Sequence, residues 1–318
     1  MHRISLSNTE FEGKNNAYLL DDGNETILID TGLFSPQIHM EFQQELSKYG
    51  YSISDIDTIL LTHWHADHVG LAGTIQEESG AKVYCHVKDS PLVEKDPSAL
   101  AELLHIVEKR FIEWHVPPAK LDPLLDVLKL GHKLGGPPPR TTDFDSGDQI
   151  ECENYTFSIL HVPGHTLGLS CFLLNETNIA FVGDAVLPVY TPNIGGADLR
   201  VTSSLSQFRD GLLQLQNHNL DIFYPGHRHK ILAPNPRIDE ILQHHRNRLD
   251  QIVSLLTNPT DIWNLSTRIF GQLDGIHALY GSGEIFAHLE YLESMDLVTS
   301  SDGLYSLTAP SVDISTIF

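Results

Sequence analysis

The sequence predicts an α/β protein with a helical insertion and a smaller helical region at its C-terminal end. Short apolar runs of strand length alternate with helical patterns along much of the 318 residues, and 41% of the residues are hydrophobic, enough for a substantial core. Several of the strand-like runs end in His or Asp next to a glycine. In the stretch 59–70, an apolar run leads directly into three histidines and an aspartate.

The first predicted elements are strands within residues 4–31. Apolar runs at 17–20 and 26–29 are separated by Asp-Asp-Gly-Asn, a sequence typical of a hairpin turn. The second strand ends at Asp30, for which two interpretations are about equal: a turn-forming carboxylate, or one that orients a metal ligand. A helix over 36–49 and a strand over 56–61 are expected next.

The stretch from His63 to His68 is the strongest local signal. His63 and His65 are two positions apart, so their side chains face the same way in an extended chain. Asp67 and His68 lie where the strand gives way to a helix. Imidazole and carboxylate groups suit zinc and, less selectively, iron or manganese. Burying so many titratable groups beside a strand is costly unless something binds them, and the stretch therefore predicts a metal site.

Residues 90–140 interrupt the alternation of strands and helices. Apolar residues recur at helical spacing over 100–111 and 121–128, and a Gly- and Pro-rich segment ends the insertion. The two helices are either additional packing or a cap over a pocket. Just before them, a short strand ends at His86, which we expect to be a packed residue rather than a ligand. Strands are expected to resume at 149–150.

Three later strand-like runs also end in a candidate ligand. His165 follows the run 155–162, Asp184 follows 179–182 and His227 follows 222–224, each directly after a glycine. A single Gly-His or Gly-Asp pair is more often a turn than a ligand. Three such pairs, each at a strand end, favour one shared site.

The C-terminal region has a different pattern. A long amphipathic stripe over 238–253 predicts a helix, shorter helices follow at about 260–270 and 283–295, and an Asp-Gly turn predicts a final hairpin. This order suggests a winged-helix-like domain over 235–318 after a catalytic domain over 1–234. A structural or dimerisation role is preferred to nucleic-acid binding, and a dimerisation role would make the protein a homodimer.

Composition restricts the expected partners. With 20 basic against 42 acidic residues the formal charge is −22, which argues against a general affinity for nucleic acid or anionic lipid. The three cysteines are widely spaced and are expected to be reduced and buried. No run has the length of a signal peptide core or a membrane span, and a cytoplasmic protein without a membrane partner is expected.

In their order along the chain, these motifs closely resemble the metallo-β-lactamase superfamily. The family signature His-x-His-x-Asp-His is present in full at 63–68, followed by Gly-His-Thr at 164–166, Gly-Asp at 183–184 and Gly-His at 226–227. The resemblance covers about residues 4–232. It implies a four-layered αβ/βα sandwich with the site at one edge, between two mixed sheets. Asp30-Thr31-Gly32 also resembles a family motif, which favours the orienting role for Asp30.

The resemblance further implies a pair of divalent cations, with zinc expected and iron or manganese as alternatives. The implied ligands are His63, His65 and His165 for one cation, Asp67, His68 and His227 for the other, and Asp184 as a bridge between them. Two cations lower the pKa of a water held between them, which yields a hydroxide nucleophile, and they polarise a carbonyl or phosphoryl oxygen. Asp67 or the hydroxide would handle the proton. The expected reaction is metal-assisted hydrolysis.

Two substrate classes remain open because this fold supports several hydrolytic reactions. The segment Pro-Gly-His-Thr-Leu-Gly at 163–168 resembles the glyoxalase-II-like branch, which implies a small thioester, ester or lactone as substrate. The alternative is a nuclease acting on single-stranded RNA or DNA, because the C-terminal region resembles the winged-helix appendage of β-lactamase-like endoribonucleases. The acidic balance disfavours that alternative. Tyr190 is a candidate pocket residue.

Overall fold

The computed structural model describes residues 1–8, 13–309, 314 and 318. The predicted strand region 4–31 and the predicted C-terminal region 235–318 therefore each include a few residues outside the described ranges. Across the described ranges, no helix combines the length and the apolar character needed to cross a membrane.

The first sheet has six strands, which lie side by side in chain order. The first three strands pair antiparallel, and the third to the sixth pair parallel. The predicted hairpin is confirmed, since Asp21 lies opposite Thr26 across it. The strands are β1 (His2–Ser7), β2 (Lys14–Asp21), β3 (Thr26–Ile29), β4 (Thr58–Leu60), β5 (Lys82–His86) and β6 (Thr141–Phe144).

The second sheet has five strands, in the order β11-β10-β9-β8-β7. β10 and β11 pair parallel, while the other neighbours pair antiparallel, so both sheets are mixed as predicted. The strands are β7 (Gln149–Glu151), β8 (Thr156–His161), β9 (Ser170–Leu174), β10 (Ile179–Gly183) and β11 (Ile222–Pro225).

Helices connect the strands, and the longer ones cover the outer faces of the sheets. They are α1 (Pro36–Ser47), α2 (Ala66–Val69), α3 (Ala72–Ser79), α4 (Ser90–Val93), α5 (Pro97–Glu113), α6 (Leu121–Leu134), α7 (Ser204–Asn217), α8 (Pro234–Leu255), α9 (Ile262–Phe270) and α10 (Ile276–Ser294). Two short 3-10 helices lie at Ile53–Asp55 and Pro118–Lys120. A separate hairpin, β12 (Val298–Ser301) and β13 (Leu304–Leu307), follows α10.

Strand alternation explains the layers. In β2, Ala17 and Leu19 face the core that the first sheet shares with α1 and α3, whereas Tyr18 and Leu20 face the core between the sheets. The inner core is completed by aromatic side chains of the second sheet, including Phe172. A third core lies behind the second sheet, under α7, α8 and α10. These four layers, helix–sheet–sheet–helix, confirm the predicted fold class.

The helical insertion packs against the C-terminal region. The Trp263 backbone N–H donates to the Trp114 carbonyl at 3.1 Å, and Lys120 Nζ donates to the Leu273 carbonyl at 2.7 Å. Both regions contribute side chains to the same core as α7. The division at residue 234 stays a prediction. So does the winged-helix assignment, although three helices and a hairpin are present in that order.

Three expectations need correction. β6 was not expected, because its residues Thr-Thr-Asp-Phe lie at a sheet edge with mostly polar, solvent-facing side chains that hide the strand pattern. α10 begins at Ile276 rather than near 283, because Gly281-Ser282-Gly283 has low helix propensity but lies inside the helix. Cys152 is only half-buried, whereas the other two thiols are buried, and all three are free.

Candidate metal centre

The seven predicted ligands converge at one edge of the sandwich, where strands of both sheets end. His63 and His65 follow β4, and Asp67 and His68 lie in α2. From the second sheet, the ligands that follow β8, β10 and β11 are His165, Asp184 and His227. Their nitrogen and oxygen atoms form three groups in which all atoms lie within 4.8 Å of one another. The structure thus brings together side chains that are far apart in the sequence.

The first cluster, as we call His63, His65 and His165, consists of imidazoles only. The Nε2 atom of His63 lies 3.1 Å from Nδ1 of His65, and Nε2 of His165 lies 3.0 Å from the same atom. His63 and His165 are buried, and His65 is half-buried. Three imidazole nitrogens that face one point are a typical protein donor set for a zinc ion.

The second cluster, as we call Asp67, His68 and His227, adds a carboxylate. Oδ2 of Asp67 lies 3.4 Å from Nε2 of His227 and 3.8 Å from Nε2 of His68. All three side chains are buried. These separations exceed ordinary hydrogen-bond lengths, so the donor atoms surround a point rather than pair tightly with one another.

Asp184 lies between the two clusters. Its Oδ2 is 3.7 Å from Nε2 of His165 in the first cluster and 3.4 Å from Nε2 of His227 in the second. Its Oδ1 is 3.6 Å from Nε2 of His68, and both of these buried atoms lack a hydrogen-bond partner among the described residues. Buried polar atoms are normally paired, and a bound cation would satisfy both. The arrangement is consistent with a dinuclear metal site.

Two glycines permit this close approach. A Cβ added at Gly226 would lie 2.5 Å from Oδ1 of Asp184 and 2.5 Å from Cε1 of His68. Gly183 has φ +48°, and a Cβ there would lie 2.6 Å from Oγ1 of Thr62. The glycines that precede Asp184 and His227 are therefore required by space, and at Gly183 by backbone conformation as well.

Asp30 orients two of the imidazoles. Its Oδ2 lies 2.8 Å from Nδ1 of His68 and accepts a 2.8 Å hydrogen bond from the Thr62 hydroxyl, whose Oγ1 is 3.0 Å from Nδ1 of His63. Because the Thr62 hydroxyl donates to Asp30, His63 Nδ1–H donates to the Thr62 oxygen. Both rings thereby turn Nε2 toward the site. Such outer hydrogen bonds fix the tautomer and orientation of metal-binding histidines.

Backbone carbonyls orient the remaining histidines. Nδ1 of His165 donates to the Asn193 carbonyl at 2.8 Å, and Nδ1 of His227 lies 3.3 Å from the Lys14 carbonyl. His65 is turned the other way, with Nε2 3.3 Å from the Ala197 carbonyl and Nδ1 facing the site. Four imidazoles thus present Nε2 to the centre and one presents Nδ1.

Two asparagines that the sequence analysis missed hold the Asp67 carboxylate. The Nδ2 atoms of Asn8 and Asn15 donate to its Oδ2 at 3.2 and 3.0 Å, and Asn8 also donates to Oδ1 of Asn15 at 2.6 Å. Asn15 and its neighbour Asn16 are both buried at the start of β2. Two consecutive asparagines at the start of a hydrophobic strand could have indicated this support, because buried side-chain amides need hydrogen-bond partners.

Charge divides the site into two halves. Burial lowers the pKa of every histidine in the first cluster, to about 3 for His65. Burial alone would also lower the pKa of His68, but the carboxylates of Asp184, Asp67 and Asp30 outweigh it and raise that pKa to about 10. Asp184 likewise outweighs burial at His227 and raises its pKa. The first cluster therefore favours neutral imidazoles, and the second favours positive charge.

A buried ion network, also missed from sequence, lies beside the first cluster. Nη2 of Arg200 contacts Asp89 at 2.9 Å and Asp198 at 2.6 Å. Asp89 accepts from the Trp64 backbone N–H at 3.2 Å, and Asp198 accepts from the Leu167 backbone N–H at 2.9 Å. Burial raises the pKa of Asp89. Burial opposes ionisation of Asp198 as well, but the charge and hydrogen bonds of Arg200 outweigh that effect and lower the pKa of Asp198. The network joins the loops that carry His65 and His165.

Two other predicted residues lie apart from the clusters. His86 is buried and stacks on His161 at 4.3 Å between ring centroids, as expected for a packed residue. The Tyr190 ring lies under the Arg228 guanidinium at 5.5 Å, next in the chain to His227. A pocket-lining role for Tyr190 stays a prediction.

Comparisons with known proteins agree with this geometry. Residues 11–227 match the family model of the metallo-β-lactamase superfamily. The metallo-beta-lactamase family protein TTHA1429 from Thermus thermophilus is similar over 96% of this chain and 98% of that chain, with 26% identity and a TM-score of 0.83. TTHA1623, solved in a di-iron-bound form, shares the fold, with 23% identity over 74% of this chain and 96% of that chain and a TM-score of 0.51.

Two curated relatives are similar over most of the chain. The probable metallo-hydrolase YqjP of Bacillus subtilis (strain 168) is 23% identical, over 87% of this chain and 88% of that protein. The thioesterase pkgB of Emericella nidulans is 26% identical, over 85% of this chain and 61% of that protein. The chain spans about 60% of the length of several fungal relatives that it matches.

Replacing Asp30 by Asn should weaken metal binding at the second cluster. We expect the affinity for Zn²⁺ to fall about 10- to 100-fold, because His68 loses the carboxylate that orients it. Titration of the metal-free protein against a chelating indicator measures the change. Asp57→Asn is the matched control, since Asp57 is exposed and accepts the Thr26 N–H at 2.8 Å, away from the clusters. Equal affinities in the wild type and Asp30→Asn would contradict the orienting role.

Proposed function

We propose that this chain, which belongs to the metallo-β-lactamase superfamily, is a metallo-hydrolase that acts on small thioesters, esters or lactones. The observation that carries this proposal is the pair of donor clusters joined by Asp184. Nε2 of His68 and Oδ1 of Asp184 support it, because these buried atoms have no hydrogen-bond partner among the described residues and are available to a cation.

We propose that the first cluster binds one divalent ion, that the second cluster binds another, and that Asp184 contacts both. Zinc is the proposed ion, because the site offers five imidazoles and two carboxylates, and both group types are common zinc ligands in proteins. The same donors also accept iron or manganese. When bound, such a pair supplies a water of lowered pKa and polarises the carbonyl oxygen of the substrate.

The protein's own contribution is orientation and proton handling. We assign proton acceptance to Asp67, whose Oδ2 is held by Asn8 and Asn15. Two N–H donors fix that oxygen, so the carboxylate needs little reorganisation during the reaction. Asp30, acting directly on His68 and through Thr62 on His63, keeps two imidazole rings in place.

Two features support an acyl substrate with an apolar part. The relative pkgB is named a thioesterase and is similar over 85% of this chain. Helix α6 contacts α2, which carries Asp67 and His68, and it leaves Val127 50% exposed and Leu130 55% exposed. We propose that these two side chains line the substrate pocket, because small-molecule sites are lined mainly by apolar groups. The charge of −22 disfavours a polyanionic substrate such as RNA.

Metal analysis tests the ligand assignment directly. We expect the wild-type protein to bind two ions per chain and His65→Ala to bind about one, because the first cluster loses a donor. Elemental analysis after dialysis against a weak chelator measures the ratio. His39→Ala is the control, since His39 lies on α1 and pairs with Glu78 at 3.0 Å. Unchanged metal content in His65→Ala would contradict the assignment.

A substrate panel tests the reaction. We expect hydrolysis of S-acyl thioesters, simple esters or lactones that stops when a strong chelator removes the metal and returns when Zn²⁺ is restored. Release of free thiol or acid is the measurement, and a labelled single-stranded RNA is tested in parallel. Chelator-sensitive cleavage of the RNA, without turnover of any acyl substrate, would contradict the proposed substrate class and favour a nuclease.

Substitutions at the exposed apolar residues of α6 test whether this helix contributes to the substrate pocket. The double variant Val127→Ser, Leu130→Ser should raise KM for medium-chain acyl thioesters about 10-fold, the equivalent of about 1.4 kcal/mol of lost apolar contact, at unchanged metal content. Ile112→Ser is the control, because Ile112 is 69% exposed on α5. If the double variant had the same KM as the wild type, the acyl group would not bind against these two residues.

A further inference from the structure

We propose that the C-terminal helix α10 positions the histidines of the first cluster by holding the loop at 193–200, which we call the carbonyl loop. The inference rests on the proposed metal ligands and assigns a role to the C-terminal region. It makes residues of α10, far from the family motifs in sequence, part of the support of the metal centre.

The carbonyl loop supplies hydrogen-bond acceptors to two histidines of the first cluster. The Asn193 carbonyl accepts from Nδ1 of His165 at 2.8 Å, and the Ala197 carbonyl lies 3.3 Å from Nε2 of His65. In each ring the other nitrogen faces the site. The path of this loop therefore determines where both donor nitrogens point.

The carbonyl loop packs against α10 with backbone in contact with backbone. A Cβ added at Gly283 of α10 would lie 2.3 Å from the carbonyl oxygen of Gly195 and 2.4 Å from Cα of Gly196. In the reverse direction, a Cβ added at Gly196 would lie 2.5 Å from Cα of Tyr280. The separation of loop and helix is thus fixed by the absence of side chains on both surfaces.

Side-chain hydrogen bonds reinforce this contact. Nδ2 of Asn193 donates to the Tyr280 carbonyl at 3.2 Å and lies 3.5 Å from Oε2 of Glu284. Glu284 pairs with Arg248 of α8 at 2.9 Å, and both side chains are largely buried. Asn193 therefore links a histidine of the first cluster, through its own carbonyl, to two C-terminal helices.

The far end of the carbonyl loop is held by the ion network. Asp198 and Arg200 belong to the loop. Asp198 accepts a 3.2 Å hydrogen bond from Nε1 of Trp64, which lies between His63 and His65 in the sequence. Because this end is fixed, a shift of α10 should move only the part of the carbonyl loop that carries the Asn193 and Ala197 carbonyls.

The second cluster has different supports. Its hydrogen bonds come from Asp30, from the Lys14 carbonyl and from Asn8 and Asn15, which belong to the first sheet and the segment before β2. A change at the interface of α10 with the carbonyl loop should therefore affect the first cluster selectively.

The test compares Gly283→Ala with Gly281→Ala. Both are glycines of α10, but a Cβ at Gly281 would first meet a flexible side-chain atom, Cδ1 of Leu273 at 2.8 Å, rather than the carbonyl loop. Zn²⁺ affinity is measured by titrating full-length, metal-free protein, and Co²⁺ absorption spectra report ligand geometry. Thermal unfolding of the metal-free proteins verifies that each variant is folded.

We expect Gly283→Ala to lower the affinity for one of two Zn²⁺ ions about 10-fold, within the range for altered outer-shell partners, and to change the Co²⁺ spectrum. Gly281→Ala should retain both ions. In a His65→Ala background, which disrupts the first cluster, adding Gly283→Ala should leave the affinity for the remaining ion within about 2-fold, because the second cluster takes its hydrogen bonds from Asp30, Lys14, Asn8 and Asn15 rather than from the carbonyl loop.

A second variant covers the case in which Gly283→Ala does not fold. Asn193→Ala removes the side-chain link to α10 and keeps the carbonyl that His165 uses, and the same selective loss is expected. Wild-type affinity for both ions in a folded Gly283→Ala or, failing that, in Asn193→Ala would overturn the inference. An equal loss in Gly281→Ala or in the His65→Ala background would also overturn it. Failure of the wild-type protein to bind two ions would instead contradict the proposed function.

Discussion

Asp67 and Asp184 are both 6% exposed and lie among five imidazoles, so the structure depends on neutralising two carboxylates that are removed from water. Isolated buried charges are very unfavourable, and each must be matched by a proton, a cation or a strong donor. Without metal, the carboxylates raise the pKa values of His68 and His227, and the protonated form that this favours would offset part of the negative charge. Metal ions can replace those protons in the same space.

Hydrogen bonds from the surrounding structure hold the ligands in place, with acceptors behind the histidines and two amide donors on Asp67. Most of the ligands are held from behind by a group from another segment of the chain, such as Asp30 just after β3 for His68 or the Lys14 carbonyl at the start of β2 for His227. The carbonyls of Asn193 and Ala197 do the same for two histidines. Both sheets and the segments that follow them are therefore needed to keep the donors aimed inward.

The sequence allowed us to predict the features that depend on side chains at the ends of strands. The motif at 63–68 and the later Gly-His and Gly-Asp pairs indicated the convergence of seven side chains, because polar residues at the ends of adjacent strands meet at one edge of a sheet. The supporting carbonyls were not predictable, since a backbone oxygen has no sequence signature. Residues 281–283 of α10 reduced the helical signal, yet the close packing against Gly195 requires this glycine-rich composition.

The contact between Gly283 and Gly195 has a consequence for how the protein is made. All seven candidate ligands precede residue 228 in the chain, but the helix behind the carbonyl loop ends at Ser294 and leaves the ribosome later. A nascent chain at that stage already holds a complete donor set, whereas the packing that aligns part of it is missing. Cation binding at full strength would therefore require α10 to have emerged and packed against the carbonyl loop, and not only the synthesis of the seven ligands.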